Sequence, residues 1–379
     1  MQFSCKTKSF QRGISAVQNV AQSKISNPIV ENILLVAEEG KVTFIGTNLA
    51  QTLRCTIEAS VEQEGEIAIP AKPAGGVARE LGGEDIHVSL ARGRLQMTCG
   101  KSEYKLAGIS AEEFPTFLPL SEGQSLTLSS AELREVIAKT VYCTSSEKSR
   151  FELDGIKVEL SGKDALFIAT DGRRLSFVCK GRDEEFAQEV AVLVPTRTWQ
   201  ELGRVLPEGQ AVHVTFGESK VMFEAGDVTL LSNLLGDNFP PYQQIIPDAF
   251  QHTIVLNKGQ AEHAVRRAIV LANEATNQVI MEVNGTEMVV RGESQELGEA
   301  RDVIEVEYND EPVKLSYRGD FILDFLRSVS TEKVDLQIND AVGPGGYREH
   351  EKEEYLHIIM PMKIQQVEEE VLEEEEQPE

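Results

Sequence analysis

The amino-acid sequence predicts an α+β protein in which one module of two helices and several strands occurs three times. A helix with a single apolar stripe recurs at intervals of about 120–130 residues along the chain. A second helix follows each of these about 60 residues later. Short strand-like runs separated by turn residues lie between and after the helices. Because each unit repeats the same order of elements, the sequence indicates three similar domains.

The first helix of each repeat is predicted from apolar residues at helical spacing. In the first copy the stripe consists of Phe10, Ile14, Val17 and Ala21, which would lie on one helix face. The three predicted first helices are Lys8–Gln22, Ser130–Thr144 and Gly259–Ala272.

The second helix of each repeat is predicted from a start signal followed by apolar residues. In the first two copies the helix opens at Pro70 and at Pro195, because a proline at a helix start has no amide hydrogen to lose. In the third copy it follows Tyr317 and runs to about Val329.

Strands are predicted from apolar runs bounded by turn residues. The paired runs between the helices are Ile33–Val36 with Val42–Ile45, Ile156–Leu160 with Ala165–Ala169, and Val279–Val283 with Met288–Val290. The runs after the second helices are His87–Leu90, Arg94–Cys99, Tyr104–Ala107, Val212–Thr215, Lys220–Ala225 and Val228–Ser232, and the third repeat ends in Leu356–Ile364.

The repeat sets the domain boundaries and suggests how copies assemble. The predicted domains are residues 1–123, 124–250 and 251–364, followed by an acidic tail at 365–379. Similar units joined head to tail share one type of interface, which closes into a ring when the rotation fits. Six units from two chains would close such a ring without exposed sheet edges.

Composition limits the classes of function without deciding among them. The net charge of −25 argues against an overall basic DNA-binding surface, although eight glutamates lie in the tail. Screening over about 8 Å allows a basic face to coexist with an acidic one. Five widely spaced cysteines and the absence of an apolar leader or membrane-length segment predict reduced thiols and a cytoplasmic location.

No sequence motif predicts catalysis. The six histidines are scattered without HExxH spacing, and the chain contains no GxxxxGK[ST] phosphate loop. We therefore expect no metal, no cofactor and no catalytic residue, although the many carboxylates leave an acid pair open on composition alone.

Three motifs give the chain a resemblance to a known family. They are Ala169-Thr170-Asp171-Gly172-Arg173-Arg174-Leu175, Asn238-Phe239-Pro240 before Tyr242, and Ile359-Met360-Pro361-Met362-Lys363-Ile364. Each is weak alone, but in this order within a threefold repeat they are specific. Over residues 1–364 the chain resembles the bacterial sliding clamps, the beta subunits of DNA polymerase III.

The resemblance implies three DNA-clamp domains per chain and a closed ring of six domains as a head-to-tail homodimer, with helices lining the hole and sheets outside. It implies a non-catalytic processivity factor that encircles duplex DNA without reading its sequence. The implied partners are the polymerase III alpha subunit, clamp-loader subunits and other proteins with clamp-binding motifs. The repeat alone leaves an alternative open: an enzyme or protein scaffold made from a tripled domain, with no DNA role.

The resemblance also implies a set of DNA-contacting cations, since Lys and Arg on inward-facing helices contact phosphate without reading bases. A single such residue could equally lie on an ordinary solvated helix face. The positions that match the family are Lys24, Lys72, Arg79, Arg197 and Arg204; repeat symmetry adds Lys139, Arg266 and Arg267; a matching loop adds Lys148 and Arg150.

A partner-peptide pocket is implied in the same way, as a shallow apolar groove for short extended peptides. From the residues alone, Met360–Ile364 could instead be a last core strand. Arg173 stands where the family often has histidine, and Lys363-Ile364 where it has arginine-leucine, which puts peptide preference in question. The matching positions are Leu153, Thr170, Gly172, Arg173, Arg174, Leu175, Pro240, Gln244, Ile245, Ile358, Met360, Pro361, Met362, Lys363 and Ile364.

The implied dimer interface joins Tyr104 and Leu106 on an edge strand to Val270 and Leu271 of a partner, with burial inside a domain as the alternative. For the tail we expect a disordered solubilising segment; the alternative is that Val367 and Leu372 visit the pocket.

Overall fold

The structure is a computed structural model that describes residues 1–21, 28–147 and 149–364. The predicted acidic tail therefore lies outside the described residues. The chain divides into two compact units, which we call unit 1 and unit 2. Unit 1 comprises Met1–Asp171 with Phe177–Pro240, and unit 2 comprises Gly172–Ser176 with the chain from Pro241 onward. Unit 1 thus contains the first repeat and most of the second, and unit 2 contains the third.

In its described residues the first repeat contains two α-helices and nine strands. They are β1 (Gln2–Lys6), α1 (Thr7–Ala21), β2 (Asn32–Glu38), β3 (Lys41–Thr47), β4 (Gln51–Glu58), β5 (Ser60–Gln63), β6 (Gly65–Pro70), α2 (Ala71–Glu80), β7 (Asp85–Ala91), β8 (Arg94–Cys99) and β9 (Ser102–Ala107).

The described residues of the second and third repeats follow the same order, without a counterpart of β5. The second has β10 (Gln124–Ser129), α3 (Ser130–Thr140), β11 (Gly155–Ser161), β12 (Asp164–Thr170), β13 (Arg174–Gly181), β14 (Val190–Pro195), α4 (Thr196–Val205), β15 (Ala211–Phe216), β16 (Lys220–Ala225) and β17 (Val228–Asn233). The third has β18 (His252–Asn257), α5 (Lys258–Val270), β19 (Gln278–Asn284), β20 (Glu287–Ser294), β21 (Gly298–Glu307), β22 (Val313–Arg318), α6 (Gly319–Ser328), β23 (Lys333–Ile338), β24 (Gly345–Glu349) and β25 (Tyr355–Ile359). This confirms the predicted threefold repeat of an α+β module.

In unit 1 the strands of the first two repeats share a sheet. Its order is β10-β15-β16-β17-β4-β3-β2-β6, and β17 pairs antiparallel with β4. A second sheet has the order β5-β1-β7-β8-β9, which leaves β9 at one edge. Below the β4–β17 pair, Gln51 donates a buried hydrogen bond of 2.7 Å to the Thr198 hydroxyl, which in turn contacts Ser232 at 2.7 Å. The first two repeats are therefore joined by backbone and by buried polar side chains.

In unit 2 the strands run in the order β25-β24-β23-β18-β21-β20-β19-β22. Helix α6 buries Phe325 against Tyr347 and Tyr355, with ring centroids 5.4 and 5.6 Å apart. His357 on β25 stacks on the same Phe325 ring at 5.7 Å. Aromatic packing thus fixes α6 on the sheet.

The cores confirm the apolar stripes read from the sequence. Phe10 of α1 is buried and meets the Phe44 ring edge-on at 5.5 Å. In α4, Trp199 packs edge-on between Phe167 and Phe223, at 5.9 and 5.5 Å. Helices α1 and α4 therefore cover the strands of their own repeats with large aromatic side chains.

Several predicted boundaries differ from the structure. Pro70 and Pro195 are the last strand residues, with ψ of 122° and 139°, so each helix begins one residue later. The predicted final strand to Ile364 is wrong beyond Ile359, since Pro361 has no amide hydrogen for a sheet ladder. The strands that precede the first helices, β1, β10 and β18, were not predicted, because each is only 5–6 residues long and runs directly into its helix.

Candidate nucleic-acid and partner interfaces

Helix α2 carries the clearest candidate phosphate contacts. Lys72 and Arg79 are both exposed and form no ion pair with the described residues. The helix is anchored to α1 by Gln11, whose amide donates to the Ala78 and Leu81 carbonyls at 2.8 and 3.2 Å. Two exposed cations on a helix that is hydrogen-bonded to its neighbour can contact phosphate groups without reading the base sequence.

The two arginines of α4 differ. Arg197 is exposed near the start of the helix. Arg204 donates to the carbonyls of Ser15 and Ala16 at 2.7 Å each and pairs with Glu201 at 2.7 Å. Arg204 therefore joins α4 to α1, and its guanidinium is already bound to two carbonyls and a carboxylate.

The prediction of Lys139 as a DNA contact is wrong, because the residue is only 3% exposed. Its ammonium lies 2.6 Å from Glu135, and Lys180 lies 2.8 Å from the same carboxylate. Burial would raise the pKa of Glu135, but the hydrogen bonds from the two lysines outweigh it and hold the pKa below its usual value. The group is a charge cluster of the second repeat in which the two lysines are buried and the carboxylate is half-buried.

Helix α5 places Arg266 and Arg267 at the surface, each with a carboxylate partner. Arg266 pairs with Glu262 one turn earlier. The Nε of Arg267 donates to Asp302 on β21 at 2.7 Å. Both arginines are exposed enough to exchange these partners for phosphate, because exposed ion pairs are weak.

The loop candidates are only partly described. Arg150 is exposed, and its guanidinium lies 4.4 Å from the centre of the Phe151 ring. Lys24 and Lys148 lie outside the described residues.

Unit 2 brings together a subset of the predicted peptide-pocket residues. The Met360 amide donates to the Arg173 carbonyl at 2.9 Å, and the Met362 amide donates to Ser316 at 2.8 Å. Met360 is 43% exposed, Gly172 and Arg173 are exposed, and Lys363 is exposed beside them in sequence. Gly172 has a φ of +86°, which favours glycine there. An exposed methionine beside exposed cations suits a short peptide with an apolar anchor and acidic or carbonyl groups.

Arg174 lies beneath this surface, where its guanidinium contacts other side chains of unit 2. Its guanidinium lies 2.7 Å from Asp324 and 4.1 Å from the centre of the Phe321 ring. Arg318 lies over the same ring at 5.3 Å. The sequence reasoning missed Phe321, Asp324 and Arg318 as supports of this surface; the only sequence signal was the helix start at Arg318-Gly319-Asp320.

Other predicted pocket residues are buried or belong to unit 1. Leu175 and Ile358 in unit 2 have exposures of 1% and 0%, so they can support a surface but not contact a ligand directly. Gln244 is exposed and Ile245 and Ile364 are half-buried. In unit 1, Leu153 and Thr170 are buried and Pro240 is half-buried.

His357 lies within the core behind the Met360 surface. Burial lowers its pKa to about 3, with a further lowering by the nearby Arg174 charge, while a hydrogen bond with the Leu175 backbone acts in the opposite direction. The imidazole is therefore neutral at physiological pH.

The residues predicted at the dimer interface lie on an edge strand in unit 1 and at a helix end in unit 2. Tyr104 and Leu106 are half-buried on the edge strand β9. In unit 2, Val270 at the end of α5 is 69% exposed and Leu271 is half-buried. A large apolar side chain that is exposed at a helix end is typical of an interface.

All five cysteines lie within the described residues and are free in the structure, and four of them are buried. Within residues 1–21, 28–147 and 149–364, no three His, Cys, Asp or Glu side chains are grouped to hold a metal ion. None of the helices in the described ranges has the length and apolar character needed to cross a membrane.

Three copies of a sheet-backed helix pair, each with exposed cations on at least one helix, define a repeat-built binding protein of the clamp class. Comparison with known families agrees. The DNA polymerase III beta subunit models match consecutively: the N-terminal domain at residues 1–119, the central domain at 127–241 and the C-terminal domain at 243–363. The chain belongs to the DNA polymerase III beta subunit family.

Similar proteins carry the same description along their full length. The beta sliding clamp of Vibrio cholerae is 27% identical over 369 residues, covering 96% of this chain and all of that one. The beta sliding clamp of Pseudomonas aeruginosa is 24% identical over 368 residues with the same coverage. The solved sliding clamp of Bacillus subtilis matches the fold with a TM-score of 0.90 at 23% identity, over 96% of this chain and 100% of that one. A beta subunit from Thermotoga maritima gives a TM-score of 0.89 at 22% identity and the same coverage.

These matches confirm the family predicted from the three sequence motifs. Family membership gives the chain the role of a DNA sliding clamp in replication, as a non-catalytic processivity subunit. The alternative of a tripled-domain enzyme or scaffold with no DNA role is set aside.

Proposed function

We propose that two copies of this chain associate head to tail into a ring that encircles duplex DNA and tethers replication proteins to it. The observation that carries this proposal is the combination of a threefold repeat with an unpaired edge strand, β9, in the first repeat. Enclosure retains DNA topologically, so weak contacts to phosphate are sufficient and sliding is not blocked. Because such a ring works on DNA inside a bacterial cell, we also propose a cytoplasmic location.

The phosphate contacts proposed for the ring are the exposed cations on helices and loops. The arrangement is supported by their exposure and by the anchoring of their helices. The set consists of Lys72, Arg79, Arg197, Arg266, Arg267 and Arg150, with Lys24 and Lys148 kept as predictions from the family resemblance.

The proposed partners are the polymerase III alpha subunit, clamp-loader subunits and other proteins with clamp-binding motifs. In unit 2 the surface formed by Gly172, Arg173, Met360 and Lys363 supports this, since it combines an exposed thioether with two exposed cations. Arg173 and Lys363 favour peptides that present carboxylates or carbonyls.

The test of encirclement is topological. The clamp is loaded onto nicked circular DNA with a clamp loader, and the circle is then cut once with a restriction enzyme. We expect the clamp to remain on the circle and to leave after cutting, because a ring slides over a free end. Retention on the linear product would contradict encirclement.

The phosphate contacts are tested with Lys72→Ala combined with Arg79→Ala. Loss of two contacts should lower the slope of log K against log salt by up to roughly two, at about 0.9 per phosphate. Lys163→Ala serves as the control, because Lys163 is exposed on the turn between β11 and β12 and does not belong to a helix. An unchanged salt slope in the double variant would remove these two residues from the interface.

A further inference from the structure

The pairing of β17 with β4 inside unit 1 provides a template for how one repeat joins the next. The strands are antiparallel, with the five facing pairs Val228–Cys55, Thr229–Arg54, Leu230–Leu53, Leu231–Thr52 and Ser232–Gln51. The last strand of the second repeat, β17, thus pairs with β4, which is the third strand after the first helix of the first repeat.

The equivalent strand of the first repeat is β9. The β16–β17 turn is Gly226-Asp227, and the β8–β9 turn is Gly100-Lys101. Both glycines have a φ of +59°, so the two hairpins share their turn geometry and can be superposed without a shift. Thr229 then corresponds to Glu103, and the next positions follow in order.

The equivalent of β4 in the third repeat is β21. Lys41, the first residue of β3, pairs with Glu58 on β4, and Glu287, the first residue of β20, pairs with Glu305 on β21. Arg54 therefore corresponds to Arg301.

On β9 and on β21, the residues whose backbone N–H and C=O groups point away from their own sheet are the ones that this pairing requires. The Gly108 amide donates inward to Gly93, so alternate residues Glu103 and Lys105 direct their backbone groups outward. On β21 the Val306 amide donates inward to Thr286. By the same alternation, Glu299 and Arg301 direct theirs outward.

Transfer of the β17–β4 register to β9 and β21 places opposite charges face to face. Glu103 lies opposite Arg301, and Lys105 lies opposite Glu299. All four side chains are exposed, and none has an ion pair with any part of the chain that the structure describes. They are therefore available to a second copy.

The side chains on the other face are complementary in size. Tyr104 falls opposite Ala300, and Leu106 opposite Gly298. Large side chains that face small ones can extend across β21 toward Val270 at the end of α5, which packs on that strand.

The order of the charges also rejects shifted pairings. A shift of two residues in one direction puts Glu103 opposite Glu299. A shift in the other direction puts Lys105 opposite Arg301. Like charges directly opposite are destabilising, whereas a one-residue shift would turn the inner face outward.

We propose that β9 of one copy pairs antiparallel with β21 of a second copy in this register, and that the Glu103–Arg301 and Lys105–Glu299 pairs select it. The proposal rests on the proposed head-to-tail homodimer. It adds which residues face one another and makes the alternating charges a specificity determinant, so that a clamp with another charge order at these positions would be a poor partner for this chain.

Charge reversal tests the proposal by measurement of the dimer Kd with mass photometry or sedimentation. Glu103→Arg alone and Arg301→Glu alone should each raise the Kd roughly tenfold, because like charges then face each other at both interfaces of the dimer. An equimolar mixture of the two variants should form heterodimers with near wild-type Kd, since each interface then holds one opposite-charge pair. Glu287→Arg is the control with the same charge change, on an exposed residue of the neighbouring strand, and should leave the Kd unchanged.

Disulfide trapping tests the register without relying on energies. Glu103→Cys with Arg301→Cys should cross-link two copies under mild oxidation, because directly opposed hydrogen-bonded residues have Cα atoms about 5.5 Å apart. Glu103→Cys with Glu299→Cys should not, because the diagonal separation is about 7–8 Å.

The outcomes separate this proposal from the one on which it depends. A wild-type chain that stays monomeric at all accessible concentrations would remove the proposed homodimer. A wild-type dimer in which the two charge variants fail to rescue each other, or in which the Glu103–Glu299 cysteine pair cross-links instead, would overturn the register alone.

Discussion

Lowering the pH from 8 to 5 should destabilise unit 2 through His357. The imidazole is fully buried and neutral, with its pKa lowered to about 3 by burial and by the Arg174 charge. In the unfolded chain its pKa returns to about 6.5. Between these values the unfolded state binds a proton that the folded state does not, so stability is full above pH 6.5 and falls as the pH falls toward 3.

The expected size of this effect follows from the two pKa values. A pH of 5 lies about 1.5 units below the pKa of the unfolded histidine, and each unit corresponds to about 1.36 kcal/mol. The free energy of unfolding should therefore drop by about 2 kcal/mol between pH 8 and pH 5 from this residue alone. The loss should continue to increase until the pH approaches the folded-state pKa.

The measurement must report on unit 2. The single tryptophan, Trp199, lies in unit 1, so its fluorescence follows the other unit. Native-state hydrogen exchange of the β25 amides, corrected for intrinsic rates at each pH, follows the strand that carries His357. His357→Gln retains a hydrogen-bonding side chain and removes the titration, so its pH dependence should be flatter by about 2 kcal/mol over this range.

His263→Gln, on the exposed face of α5, is the matched control and should retain the wild-type pH dependence. If His357→Gln shows the same fall in stability as the wild type between pH 8 and pH 5, the assignment of this effect to a buried neutral imidazole is wrong.

Three further substitutions probe the shared carboxylate of the second repeat and the packing of helices α1 and α2. Glu135→Gln removes the carboxylate shared by Lys139 and Lys180, whose side chains are 3% and 8% exposed. It should lower the free energy of unfolding by about 1–3 kcal/mol, because two nearly buried ammonium groups lose their anionic partner while Glu135 itself is partly exposed to solvent. Glu58→Gln, on an exposed pair with Lys41, should have little effect in the same urea titration, and equal losses would refute the role of the Glu135 cluster. Gly76→Ala should raise the free energy of unfolding by roughly 0.5–1 kcal/mol, because a Cβ there meets nothing within 4 Å in the middle of α2. Gly13→Ala should lower it by about 1–3 kcal/mol, because its Cβ would overlap the buried Phe44 ring. Thermal melts that rank these two variants in the opposite order would contradict the packing described for α1 and α2.

The sequence predicted the helices well because their apolar periodicity is local. All six predicted helices exist, and their cores use the predicted residues Phe10, Trp199 and Phe325. Strand prediction succeeded where two apolar runs flank a clear turn, as in β2–β3. It missed several strands, β4, β13 and β21 among them. For β1, β10 and β18 the reason is that a short strand that runs into a helix has neither a turn nor a long alternation to identify it.

The site could be predicted only where exposure follows from helix position. Lys72 and Arg79 are exposed as expected, but Lys139 on a comparable helix face is buried. Its burial depends on Glu135 and on Lys180, which lies 41 residues away on β13, and no local pattern contains that information. Arg204 is similar, because its partners are carbonyls of α1 almost 190 residues earlier. Tertiary partners decide which cations remain available.

The sheet shared by the first two repeats has a consequence for protein engineering. A fragment that ended near residue 123 would keep β4 but lose β17, and with it the pairing from Gln51 to Cys55 and the Thr198 hydroxyl that binds Gln51. Such a fragment would carry a bare eight-residue ladder ready to recruit other chains into aggregates. Fragments intended to isolate the first repeat should therefore retain β17 or carry proline in place of residues of β4 whose amides point outward.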